Sequence, residues 1–274
     1  MTPHPDALSP ARRVYLKTKQ RRNRLVLGCQ LGFLIAFFVV WELAAQLGWI
    51  DSFILSQPSR IWDTMTGLAS NALPMHIGVT VYETLAGFSL GAFIGLGVSI
   101  LLWWSPFIAR VAEPYLVVLN SLPKIALGPV IILIAGAGAR AIIFMALAIS
   151  LIVTVLEMLA GFVHTDPEYI KMARTFGATR AQIFCKVVFP ANLSTLFNSL
   201  KINIGLSLVG VIAGEFLVSK AGLGYLIVYG GQVFQLDLVM TSVLILSVVA
   251  ALMYEAVALL QKAVERRFGG QTTH

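Results

Sequence analysis

From Thr84 to Ala109 the chain runs for 26 residues without an Asp, Glu, Lys or Arg. About 20 mostly apolar residues suffice to cross the hydrocarbon core of a bilayer as a helix. A soluble helix of that length has no need to be apolar on every face. In hydrocarbon every backbone polar group must be paired internally, so such a run is helical and its companions are too. Six candidate spans cover about 25–48, 78–104, 113–135, 141–163, 192–215 and 238–260. The third and fifth are the least apolar. Pro123, Lys124 and Pro129 interrupt the third, and Lys201 the fifth. Breakers and charges are tolerated within a span where it faces protein or a water-filled path. The expected fold is an all-α membrane protein of six transmembrane helices. A basic tail, 1–24, precedes a membrane domain, 25–264, and a short tail, 265–274, follows it.

Only 12% of the residues are charged, against about 25% in a soluble domain. The apolar stretch from Leu25 to Trp41 exceeds the core of a typical signal peptide, so it is expected to stay as a span.

The formal charge of +7 is unevenly spread. Arg12, Arg13, Lys17, Lys19, Arg21, Arg22 and Arg24 crowd the start of the chain. With both termini inside, fifteen of the 20 Lys and Arg residues fall on cytoplasmic parts, and only Arg60, Arg140 and Lys220 outside. The positive-inside rule therefore places both termini in the cytoplasm. A basic balance can also mark a nucleic-acid partner, but no recognition module accompanies it, so none is expected. Cys29 and Cys185 lie far apart, and neither a disulfide nor a metal site is expected of them. His76 and His164 form no cluster. No catalytic residue and no metal ligand is assigned.

The most informative segment is the loop at about 165–190, between spans four and five. Asp166 can cap a helix, Pro167 suits its first position, and Glu168 favours the positive end of the dipole. Gly177 ends that helix. Thr179-Arg180-Ala181-Gln182 then fits a capping box. Ile183, Phe184, Val187 and Val188 give the second helix an apolar face, and Pro190 is expected to close it. Two short helices joined at Gly177-Ala178, basic on the exposed face, suit two roles. They could rest on anionic lipid headgroups, or form a compact knob that enters a partner's cleft.

At this point the chain resembles the permeases of binding-protein-dependent ABC importers. Their cytoplasmic EAA loop reads Glu-Ala-Ala, three residues, Gly, nine residues, Ile, one residue, Leu-Pro. Ala173, Gly177 and Pro190 match at that spacing, and Val187 and Phe189 are apolar substitutes. Lys171 and Met172 stand where the pattern has Glu and its first Ala. The resemblance runs over about 80–268 and is nearest to the nitrate, sulfonate and taurine branch. It is carried also by Thr84-Leu85-Ala86-Gly87-Phe88, by Leu122 to Pro129, and by Gly214-Glu215-Phe216 ahead of Gly222-Leu223-Gly224. The resemblance implies a type I importer fold and an inner-membrane location. Its loop residues Lys171, Ala173, Arg174, Gly177, Ala178, Val187 and Pro190 would couple to two cytoplasmic ATPase subunits. It further implies a second permease copy, as a homodimer, and a periplasmic or lipid-anchored binding protein. The chain lacks the glycine loop of a Walker A motif, so ATP and Mg are expected on the partners, with no cofactor here. The cargo would be a small anion such as a sulfonate, taurine, nitrate or bicarbonate, or alternatively a neutral heterocyclic precursor.

Polar groups within spans face a path or a partner. Lys124 and Lys201 could help an anion pass, or snorkel, or pair with a carboxylate. Glu215 could be a gate or a structural partner. Asn120, Ser121, Asn198, Asn203 and Ser207 are candidates for the path or for bonds between helices. Glu83, Glu157 and Glu215 are the acids that an ion-coupled secondary transporter would use, but such a fold usually shows inverted repeats. A membrane-embedded enzyme would need a catalytic constellation, which the sequence does not display.

Overall fold

The computed structural model describes residues 10–69 and 72–268. The predicted stretches 1–9 and 269–274 lie outside them. The chain divides into two units, Met1–Thr64 and Met65–His274.

In the first unit, helix α1 runs unbroken over Pro10–Gln46. The basic tail is therefore helical from residue 10 and continuous with the first span. Proline suits a first helical turn, and the Arg, Lys, Leu and Gln that follow are strong helix formers. The apolar side chains of α1, such as Phe33 and Leu34, are exposed, as on a helix facing lipid. Asp51 caps the short α2 (Ser52–Leu55) by accepting from the Phe53 amide at 2.8 Å. The carboxylate of Glu42 accepts from Ser59 N at 3.1 Å and Ser59 Oγ at 3.0 Å, and so supports the first turn of α3 (Pro58–Ala69).

The second unit is built on α4 (Leu73–Trp104), α7 (Ala139–Val163) and α11 (Leu193–Val218). Small residues let them approach closely. A Cβ at Gly87 would stand 2.5 Å from Ala146 Cβ, and one at Gly95 would stand 2.7 Å from Thr154 Cβ. Between them Gly91 lies directly against Ser150. These glycines form one stripe of α4 at four-residue spacing, and Ala146, Ser150 and Thr154 form the matching stripe of α7. Gly210 and Gly214 of α11 likewise pack against Ala146 and Ile142 of α7. Lipid tails are as apolar as leucine, so close packing of small residues rather than hydrophobic burial draws such helices together. The buried hydroxyls of Ser150 and Thr154 bond to carbonyls one turn back on α7.

The expected third span is not one straight helix. Helix α5 (Pro106–Ser121) ends before a 3-10 turn at Lys124–Leu127, which leads into α6 (Gly128–Ala135). The two arms are bent by 84°. The cause is local. Leu122 precedes Pro123 and adopts the extended backbone that a following proline demands, with ψ of 137°. Pro129 then opens the next helix, where its missing N–H costs nothing.

After α7 come α8 (Pro167–Thr175) and α9 (Arg180–Ile183). Pro190 does not close the second of these helices, contrary to expectation. The chain passes through a π turn, Phe184–Val188, into α10 (Phe189–Ala191) and on to α11. The Phe189 amide reaches back five residues to the Phe184 carbonyl. The wider turn absorbs the ladder bond that proline cannot make. Past α11, the short α12 (Leu223–Gln232) and the long α13 (Leu236–Phe268) form a hairpin. Its turn has Phe234 at a φ of 58°. The chain thus has five helices long and apolar enough to cross a membrane among the described residues, and six with the bent pair counted as one.

Candidate coupling element and membrane path

Each end of α8 is closed by its own sequence. The Asp166 carboxylate accepts from the Glu168 amide at 2.8 Å. At the other end Gly177 has a φ of +76°, which an L side chain adopts reluctantly. Its amide donates to the Arg174 carbonyl at 2.9 Å, and the Ala178 amide donates to the Ala173 carbonyl at 3.1 Å. This pair of bonds is a Schellman motif. It also explains Ala173 and Ala178, which pack together on one apolar cluster behind the bend. The capping box that opens α9 is present. Thr179 N donates to Gln182 Oε1 at 2.8 Å, and Gln182 N to Thr179 Oγ1 at 3.3 Å.

The element is wedged onto the bundle. Ile183, Phe184 and Val188 are buried with Met158 and Phe162 of α7. The Phe184 ring meets Phe162 edge-on at 5.3 Å and Trp103 at 5.0 Å. Of the four residues expected on this apolar face, Val187 alone is only half-buried. Asn192, buried beside Gly161, ties the two ends of the loop together. It donates to Thr165 Oγ1 and to the Val188 carbonyl, both at 2.8 Å.

The outward face of α8 carries apolar groups that sequence reasoning missed. Tyr169, Met172 and Phe176 are exposed, Phe176 to 83%. Their three- and four-residue spacing was the available signal. Lys171 and Pro190 are exposed as well. Arg174 and Arg180 line a cavity on the inner side, with Ile170 and Ala178. The loop therefore has two different faces rather than one basic one.

The proposed path residues separate into two groups. Asn120, Ser121 and Lys124 gather at the break between α5 and α6, where Lys124 Nζ donates to the Asn120 carbonyl at 2.9 Å. Ser121 Oγ donates to the Val117 carbonyl at 2.9 Å. Lys201 is half-buried and lines a small cavity with Leu208 and Tyr254. Asn198 is exposed on the same helix. Neither Lys124 nor Lys201 makes an ion pair among the described residues. Asn203 and Ser207 are sealed in the packing at 0% exposure, and the Asn203 amide bonds to Ser199 on its own helix.

Glu215, 1% exposed, closes the N-terminus of α12. The first amides of a helix have no partner within it. Here side chains from two other helices supply all of them. His76 Nδ1 accepts from Gly222 N at 2.9 Å, Thr80 Oγ1 from Leu223 N at 2.8 Å, and Glu215 Oε2 from Gly224 N. Glu215 accepts from the Tyr225 amide as well. A carboxyl group at this end also complements the helix dipole. A Cβ at either Gly222 or Gly224 would collide with the Glu215 carboxyl, so both glycines are required by this contact. Glu83 lies beside Glu215, buried and hydrogen-bonded to it. The Gly222-Leu223-Gly224 segment is thus the start of a helix docked on α4 and α11.

Comparison with known proteins agrees with this architecture. Residues 87–270 match the family described as binding-protein-dependent transport system inner membrane component. A probable ABC transporter permease protein of Haemophilus influenzae is 29% identical over 216 residues, covering 79% of this chain and 88% of its own length. The putative aliphatic sulfonates transport permease protein of Escherichia coli is 26% identical, covering 83% of this chain and 87% of its own. The formylaminopyrimidine transport permease protein of Halalkalibacterium halodurans is also 26% identical, over 70% of this chain and 77% of its own. Among solved structures, an inward-facing MetNI methionine ABC transporter chain aligns with a TM-score of 0.64 at 22% identity. It covers 73% of this chain and 98% of that one.

Proposed function

Since the chain belongs to the family of binding-protein-dependent transport system inner membrane components, and is the permease subunit of an ABC importer, we propose how it couples and what it carries. The α8–α9 element is the seat of a cytoplasmic ATPase. The observation that carries this reading is the two-sided build of the element. Tyr169, Met172 and Phe176 project outward from a helix stopped at Gly177, while Ile183, Phe184 and Val188 lock the other side onto α4 and α7. A rigid wedge with an apolar tip can be gripped and pushed, and a push there moves the bundle as a body. ATP and Mg belong to the ATPase partner. Two copies of the chain enclose the path, and an extracytoplasmic binding protein delivers the solute.

The cargo is a small anion of the sulfonate type. Support comes from the sulfonate relative and from Lys124 and Lys201, which no carboxylate neutralises among the described residues. One feature favours a neutral heterocycle instead. A cavity of about 730 Å³ beside the break is lined by Ile125, Pro129, Phe216 and Leu246, with Ser247 as its polar group. Competition for uptake by alkanesulfonates against formylaminopyrimidine decides between them.

Gly177→Asp tests the coupling. The variant is expected to insert normally, yet to lose ATPase during purification or lose stimulation of hydrolysis by loaded binding protein. Normal transport with a full complement of ATPase would remove this role from the element.

A further inference from the structure

Where α8 and α9 meet the bundle, a cavity of about 870 Å³ opens among α4, α5 and α7. Its floor is apolar, made by Leu102, Leu116, Leu156 and Phe162. Its rim is cationic. Arg110 comes from α5, Arg174 from α8 and Arg180 from α9. Glu113 is the one carboxylate among the lining residues, and His164 is the other titratable group there.

Three arginines from three separate elements share this lining with a single carboxylate, so the rim carries a net positive charge. Arg180 is held in place by the protein. It lies 5.4 Å from the Trp103 ring centroid and donates to the Trp103 carbonyl at 3.3 Å. The guanidinium groups of Arg110 and Arg174 make no hydrogen bond or ion pair among the described residues, so their donors are available. An arginine fork matches phosphate geometry.

The position of the cavity identifies the ligand. Trp103 and Trp104 end a membrane-crossing helix, and paired tryptophans mark the membrane–water boundary. The arginine rim therefore lies at headgroup depth and the leucine floor at the depth of the upper acyl chain. A free phosphate would leave the floor empty, and a neutral lipid would leave the rim unpaired. We propose that this cavity binds one anionic phospholipid, its phosphodiester on the arginine rim and an acyl chain along the floor. Basic pockets between membrane helices hold anionic headgroups by the same physics. Because Arg174 and Arg180 stand on either side of the Gly177 bend, the bound phosphate ties that bend to α5 and steadies the outward face of α8. The site rests on the chain being a membrane protein, not on the identity of its cargo or of its ATPase.

The full-length chain in mild detergent, offered phosphatidylglycerol or phosphatidylcholine and examined by native mass spectrometry, provides the test. One phosphatidylglycerol per chain is expected to survive activation that strips phosphatidylcholine. Arg110→Gln with Arg180→Gln is expected to lower that retention by roughly tenfold or more. Arg22→Gln with Arg24→Gln, an equal change of charge on α1, is expected to leave it intact. Equal loss of the two lipids from the unmodified chain overturns the proposal whether or not the variants fold. So does equal retention by the two double variants. Displacement of the lipid by millimolar inorganic phosphate would assign the rim to a soluble anion and overturn it too.

Discussion

Thr80 donates a 2.7 Å hydrogen bond to the Glu215 carboxyl, 135 positions along the chain. The same hydroxyl accepts the Leu223 amide at 2.8 Å, so α4, α11 and α12 meet at one oxygen. The end of the bundle away from α8 is held by this junction.

Glu215→Ala strips the acceptor from Gly224 N and Tyr225 N in a buried place. Leaving buried donors unpaired costs about 1–3 kcal/mol each. The detergent-solubilised protein is therefore expected to unfold at a clearly lower temperature. Glu83→Gln preserves a hydrogen-bonding group beside Glu215 and is expected to change the midpoint little. Equal midpoints for the two variants would show that α12 does not depend on this cap.

Gly91 and Gly97 sit on the same helix and respond oppositely to alanine. A methyl at Gly91 runs into Ser150, whereas one at Gly97 meets nothing within 4 Å. Overpacking costs about 1–3 kcal/mol, while replacing an open helical glycine gains up to about 1 kcal/mol. Thermal midpoints for Gly91→Ala and Gly97→Ala are thus expected to move down and up respectively.

Phe176 is exposed and Phe184 is buried, both within the candidate coupling element. Phe176→Ser is expected to keep the fold and weaken ATPase co-purification. Phe184→Ser removes the ring between Phe162 and Trp103 and is expected to destabilise the chain by about 3–5 kcal/mol, as loss of a buried aromatic side chain does. Full ATPase recovery with Phe176→Ser would separate the outward face from docking.

Cys185 is exposed on the π turn. On the charge bias it is expected to face the cytoplasm. An impermeant maleimide is expected to leave it unlabelled in intact cells and to label it after permeabilisation. Ready labelling from outside would invert the topology.

Lys124→Gln and Lys201→Gln each remove a cation that no carboxylate balances among the described residues. Uptake of an anionic solute is expected to fall in both while the assembled complex keeps its yield. Unchanged uptake in both variants returns the lysines to snorkelling.

Hydrophobic runs, caps and helix breakers act over a few residues, so they could be read along the chain. That is why five spans fell close to their observed positions, and why Asp166, Gly177 and the Thr179–Gln182 box marked the ends of α8 and α9 correctly. Pro123 and Pro190 show where local reading stopped. Each announces a disturbance of the helix, but whether it becomes an 84° break or a π turn within a continued helix depends on what lies beside it. The glycines of α4 show the same limit. Gly87, Gly91 and Gly95 differ from Gly97 only in having α7 against them. Glu215 could be a gate or a brace by sequence, and became the cap of α12 only when the Gly222–Gly224 turn folded back on it and Thr80 was brought to it from 135 positions away. Sequence determined which long segments are membrane helices and where α8 and α9 begin, because the bilayer and the backbone set those terms locally. Tertiary structure decided which of those side chains are buried, exposed or tied to another helix, because that depends on contacts between residues far apart in the chain.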